Sequence, residues 1–137
     1  MHENGHQLIR EIEQHLCGSG AGPKYDVVLS HAGGDTHADH LAVHESTLSA
    51  VRDFHGSVLL YQSPSTKPNG FHPTFFARLE EVDIERKDLS IQAHTSQRHR
   101  TYTRVSQTRG LADNWSIFLR QPEGTYLEAF EVYKSIY

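Results

Sequence analysis

The sequence predicts an α/β fold whose sheet is parallel at its centre, on three observations. Asp26-Val27-Val28-Leu29-Ser30 and Ser57-Val58-Leu59-Leu60-Tyr61 are short apolar runs without polar alternation. That is the pattern of parallel strands covered on both faces, so the first run is expected as a buried central strand. Between them, Leu41, Val43, Leu48 and Val51 mark a stretch free of Gly and Pro that ends near Arg52, as a helix requires. Residues 26 to 61 thus have the size of one βαβ unit, whose crossover is expected to be right-handed.

The other elements follow from local pattern. Leu8, Ile9, Ile12 and Leu16 recur at helical spacing after Asn4 as N-cap, which predicts an amphipathic helix over residues 5 to 17, ended by the breaker Gly18 to Pro23. His31-Ala32-Gly33-Gly34 is a glycine loop, and Asp35 and Thr36 after it are helix-capping types. Ser63 to Gly70 is rich in turn residues, and Thr74 to Leu79 reads as a short edge strand. Val82 to Ser96 is expected to be helical, with His94 and Gln97, followed by Arg98 and His99, answering the negative end of its dipole. Arg98 to Arg109 shows no period, and Tyr126 to Tyr133 suits a closing helix or strand. Trp115, Ile117, Phe118 and Leu119 read as core or as an interface anchor. Cys17 reads as a small apolar residue.

Composition bounds the function. The 137 residues suit one domain spanning 1–137, without internal repeats or a linker. Thirteen basic and seventeen acidic residues give a net charge of −4 with no block of like charge, so neither nucleic acid nor an anionic membrane is an expected partner. The single cysteine forms no internal disulfide, and no apolar run approaches the roughly 20 residues of a membrane span. A cytoplasmic location is therefore expected. Eleven histidines are the compositional oddity.

His37, Asp39, His40 and His44 open the helix that follows the first strand, at the end of an α/β sheet where ligands bind. Spacings of three and four place the three imidazoles along one helical face. Asp39 is placed to accept a ring N–H and fix a histidine tautomer. A His-rich solvent-exposed helix start has the same spacing, and so has an autonomous metal site made of His37, His40 and His44.

Asp26 to His31 followed by Gly34-Asp35-Thr36-His37-Ala38-Asp39-His40 resembles the second signature of the LmbE-like (PIG-L) zinc de-N-acetylases, a strand and then H-x-D-H. Tyr61 to Thr66 with Pro68-Asn69, then His94 to Gln97, then Tyr126 to Phe130 resemble later stretches of that family in order, so nearly the whole chain is covered.

The resemblance implies a three-layer αβα, Rossmann-like fold with a mainly parallel sheet, incomplete at its N-terminus. It implies zinc as cofactor and hydrolysis of an N-acetyl group from a small amino-sugar conjugate. His40 resembles the third zinc ligand, and His37 with Asp39 the pair that protonates or steadies the tetrahedral intermediate. His31, Ser65, Thr66 and Asn69 resemble substrate-pocket positions. The family's first signature, P-H-P-D-D-E, supplies two ligands and the general base and is not in this sequence; Glu80-Glu81-Val82-Asp83 lacks its histidine. Gln62 stands where many members have an acidic residue. The chain alone is therefore expected to be weakly active or inactive, with a complementing N-terminal segment or a homo-oligomer as partner. The rival expectation is a non-catalytic remnant, or a metal-binding, oligomerising protein.

Overall fold

A computed structural model describes residues 3–17, 25–97 and 105–136. The breaker Gly18 to Pro23 and the stretch from Arg98 to residue 104 lie outside them. Helix α1 spans Glu3–Cys17, so Asn4 falls inside it. Strand β1 is Val27–His31, helix α2 is Ala38–Ala50, and β2 is Ser57–Tyr61. Beyond them come β3 (Phe75–Leu79), α3 (Glu81–Ala93), α4 (Val105–Phe118) and β4 (Tyr126–Lys134). The closing segment is thus a strand, and the part of the unassigned stretch that is described starts a helix.

The fold is α/β, with a four-stranded sheet in the order β1-β2-β4-β3. β1 and β2 pair parallel, Val27 with Ser57 through His31 with Tyr61, as the βαβ pattern requires. β4 pairs with β2 antiparallel, Leu60 facing Glu131 and Tyr61 facing Phe130, so the sheet is mixed rather than mainly parallel. Only the βαβ crossover forces a direction; the propensity of the closing segment for extended backbone carries none.

The expectation of β1 as a buried central strand is also corrected. It stands at the edge of the sheet, with Val27 49% and Leu29 56% exposed, while the interior positions belong to β2 and β4. An apolar run reports the absence of polar alternation but not how many strands lie beside it. β3 is an edge strand as expected.

The chain forms two compact units, one of Met1–Phe75 with Phe130–Tyr137 and one of Phe76–Ala129. In the first, α2 packs on β1 and α1 packs on α2. Its core includes Leu16, Ala32, Ala50, Val51, Phe54, Val58, Leu60 and Phe71. Ser30 and Thr47 are buried between strand and helix, where the Ser30 hydroxyl donates to Thr47 Oγ1 at 3.2 Å and removes the cost of an unpaired polar group. Lys134 Nζ donates to the carbonyls of Val51 and Phe54, closing the turn after α2 against β4.

In the second unit, α3 opens with a capping box, Glu80 N–H donating to Asp83 Oδ2 at 3.0 Å while the Glu80 side chain accepts from the Asp83 backbone. Arg109 on α4 pairs with Glu81 on α3, and Tyr126 donates to the same carboxylate at 2.9 Å. These bonds from Arg109, then Tyr126, pull the Glu81 carboxyl down to about 2. Trp115 packs against Phe76 and Phe118, but Ile117 and Phe118 are 75% and 70% exposed and are not core. No helix among the described residues is long and apolar enough to cross a membrane.

Candidate metal centre

The site forms where β1 and β2 end side by side. His31 closes β1, its register partner Tyr61 closes β2, and the Tyr61 hydroxyl meets His31 Nε2 at 3.0 Å. Burial raises the Tyr61 phenol, and the nearby Asp35 carboxylate adds to the effect. Burial, then the neighbouring His40, lowers the His31 imidazole below its ordinary value.

Two loops then fold against each other. Thr36 N–H donates to Ser65 O at 3.1 Å, Lys67 N–H donates to Gly34 O at 3.0 Å, and Asp35 bridges to Thr66. The backbones touch at two glycines: a β-carbon on Gly34 would lie 2.0 Å from the Gly70 carbonyl oxygen. Asp35 is carried inward between the loops and becomes fully buried.

Five polar groups converge on the Asp35 carboxylate. Oδ1 accepts from the His37 backbone N–H at 2.8 Å and from Ser65 Oγ at 2.6 Å. Oδ2 accepts from Ser63 Oγ, faces His40 Nδ1 at 3.0 Å and lies 3.3 Å from Thr66 Oγ1. Burial alone would raise this carboxyl, but the bonds from Ser63, Ser65, the His37 backbone and His40 outweigh it and hold the group well below the carboxylate range.

His37 is the N-cap of α2, its Nδ1 accepting the Asp39 N–H at 3.3 Å. One turn on, His40 stacks on His31 with ring centroids 3.9 Å apart and planes 8° from parallel, and on His37 at 4.6 Å. The three imidazoles His31, His40 and His37 therefore form a column, with the strand residue His31 rather than His44 beside the helix start. The side chains of His37 and Asp39 do not hydrogen-bond: their nearest atoms are 3.9 Å apart and Asp39 is 88% exposed. The carboxylate that orients a histidine here is Asp35, acting on His40.

Other candidates fall elsewhere. His44 Nδ1 donates to the His31 carbonyl at 2.7 Å, and among the described residues the ligand atoms that converge are those of His31, Asp35 and His40, not the helix-face triad of His37, His40 and His44. Among the described residues, the group that could hold a metal is His31, Asp35 and His40, with one ligand atom of each within 4.8 Å of the others. Ser65 and Thr66 turn their hydroxyls to Asp35. Asn69 is exposed on the single turn Pro68–Gly70. Sequence reasoning gave Asp35 only a capping role; its place five residues before His40, in the loop that leads into α2, was the available signal.

Two imidazoles and a carboxylate are donors that zinc accepts. His31 Nδ1 is buried without a hydrogen-bond partner among the described residues, as is Gln62 Oε1 beyond β2. A buried polar atom left unpaired calls for an explanation, and a ligand at this end of the sheet supplies one. The two imidazoles are donor types that such an ion takes, while both oxygens of Asp35 already accept hydrogen bonds.

Two solved structures share this fold. One is a deacetylase of the A40926 pseudoaglycone, with TM-score 0.55 and 18% identity over 98% of this chain. The other is the zinc-inhibited form of teicoplanin deacetylase, with TM-score 0.57 and 14% identity over 99% of this chain. The chain spans 60% and 56% of their lengths. No protein-family model and no curated protein matches the sequence.

Proposed function

We propose that the chain is part of a zinc-dependent de-N-acetylase of the LmbE-like (PIG-L) kind, acting on an N-acetylated amino-sugar conjugate. The observation that carries this reading is the ring of His40, held 3.0 Å from a buried carboxylate between two further imidazoles at the C-terminal end of parallel strands. The fold shared with two deacetylases and the H-x-D-H resemblance support the same reading.

His40 holds the metal. Bound zinc supplies Lewis acidity to the amide carbonyl and to the water that attacks it. His31, anchored by Tyr61 through Nε2, backs the His40 ring by stacking on it. His37 has its Nδ1 occupied as acceptor, so its ring proton sits on Nε2, half-exposed, where it can hydrogen-bond the oxyanion and steady the tetrahedral intermediate. Asp39 orders this end through its backbone N–H. Asn69 and the rim of the 63–70 loop contact the sugar. Amide hydrolysis then forms the carbon–oxygen bond from water, breaks the carbon–nitrogen bond and leaves acetate and a free amine.

The test measures zinc stoichiometry together with acetate release from an N-acetylglucosamine derivative. Zinc should bind the wild-type chain, be lost in His40→Ala and persist in His44→Ala. Zinc uptake equal in wild type and His40→Ala would sink the assignment, and uptake lost equally in His44→Ala would favour an autonomous histidine site.

A further inference from the structure

We infer that Asp35 is a positioning residue and not a metal ligand: clamped by Ser63 and Ser65, it holds His40 as the Nδ1–H tautomer and leaves Nε2 as the lone-pair atom. The inference rests on the zinc reading only for what Nε2 binds.

A carboxylate offers about four lone-pair sites, and Asp35 faces five polar groups, so no lone pair is vacant for an ion. The His40 Nδ1 atom has two neighbours, Asp35 Oδ2 at 3.0 Å and Ser65 Oγ at 3.3 Å. Ser65 commits its only hydroxyl hydrogen to Asp35 Oδ1 at 2.6 Å. Ser63 does the same toward Oδ2 while accepting the Ser65 N–H at 3.2 Å. With an ionised carboxylate on one side and a hydroxyl oxygen on the other, nothing remains to donate to Nδ1, so the proton is on Nδ1 itself. The Ser63 to Thr66 turn is anchored by the Thr36 bonds to the Ser65 carbonyl and by Ser63 N–H donating to Thr66 Oγ1 at 2.9 Å, which fixes both hydroxyls before any ligand arrives. Asp35 thus ties the loop after β1, the start of α2 and the loop after β2 to the direction of one imidazole.

The test is heteronuclear NMR of the metal-free full chain with 15N-labelled histidine, together with zinc affinity. His40 should show the Nδ1–H tautomer in the wild-type chain, keep that proton when zinc is added, and keep it in Ser65→Ala, where the Asp35 contact to Nδ1 survives. Asp35→Asn should shift the population toward Nε2–H and weaken zinc binding about 10- to 100-fold. An Nε2–H tautomer in the wild-type chain, or loss of the Nδ1 proton on zinc loading, overturns the inference even if Asp35→Asn does not fold. An Nδ1–H tautomer without zinc uptake supports the positioning role and overturns the zinc reading instead.

Discussion

Residue by residue, the column of imidazoles exists because one carboxylate is buried beneath it. Asp35 combines two jobs that sequence reasoning separates: it accepts the His37 N–H at the start of α2, as a capping residue does, and it faces the ring of His40. That dual use has a pH consequence. The folded-state value of Asp35 is depressed relative to an ordinary carboxyl near 3.8, so its stabilisation is complete above that value and is lost as pH falls through the lower folded value. Denaturant midpoints measured at pH 7 and near pH 3 should therefore fall more steeply for the wild-type chain than for Asp35→Asn. Carboxylates such as Glu81, also depressed, act in both proteins and cancel from the comparison. Equal acid losses in the two would show that the hydrogen bonds to Asp35 contribute nothing in solution. The histidine spacing was legible because helical periodicity is short-range. Asp35 was not, because its partners Ser63 and Ser65 lie across a loop that only the parallel strand pair brings near.

At the level of elements, most boundaries could be read and the sheet's arrangement could not. β2 covers its expected residues and α2 nearly so, since apolar runs and capping types act locally. The edge position of β1 and the antiparallel entry of β4 depend on which strands meet, information that no single segment carries. Glycines separate local from tertiary constraint in the same way. Gly34 meets the Gly70 backbone so closely that Gly34→Ala must part the two loops, an overpacking that typically costs about 1–3 kcal/mol. It should also release Asp35 and with it the orientation of His40. Gly110, inside α4, has nothing within 4 Å of the point where a β-carbon would stand, so Gly110→Ala should stabilise by about 0.5–1 kcal/mol through helix propensity. Chemical denaturation of both variants checks this. A neutral Gly34→Ala would mean that the loops are not in contact.

On the scale of the whole molecule, ligand count has to be weighed with chain length. Catalytic zinc sites typically use three protein ligands and an open position. Here His40 is well directed, Asp35 is saturated by its own hydrogen bonds, and the P-H-P-D-D-E signature is not in this sequence. The two deacetylases that share the fold are longer, this chain spanning 60% and 56% of them. Zinc should therefore bind the isolated chain weakly. A ligand that binds only the folded state at 100 times its Kd stabilises by about 2.7 kcal/mol, so a weak site reaches that shift only at correspondingly high zinc. Supplying a segment that bears P-H-P-D-D-E, in trans or by fusion, adds imidazole and carboxylate ligands and a general base. It should lower the zinc concentration needed for the same thermal shift and raise acetate release from N-acetylglucosamine derivatives, both effects vanishing in His40→Ala. Robust hydrolysis by the isolated chain would show that this sequence already holds a base and ligands that its geometry does not reveal, whereas a supplied segment that changes neither zinc affinity nor turnover would remove the de-N-acetylase reading.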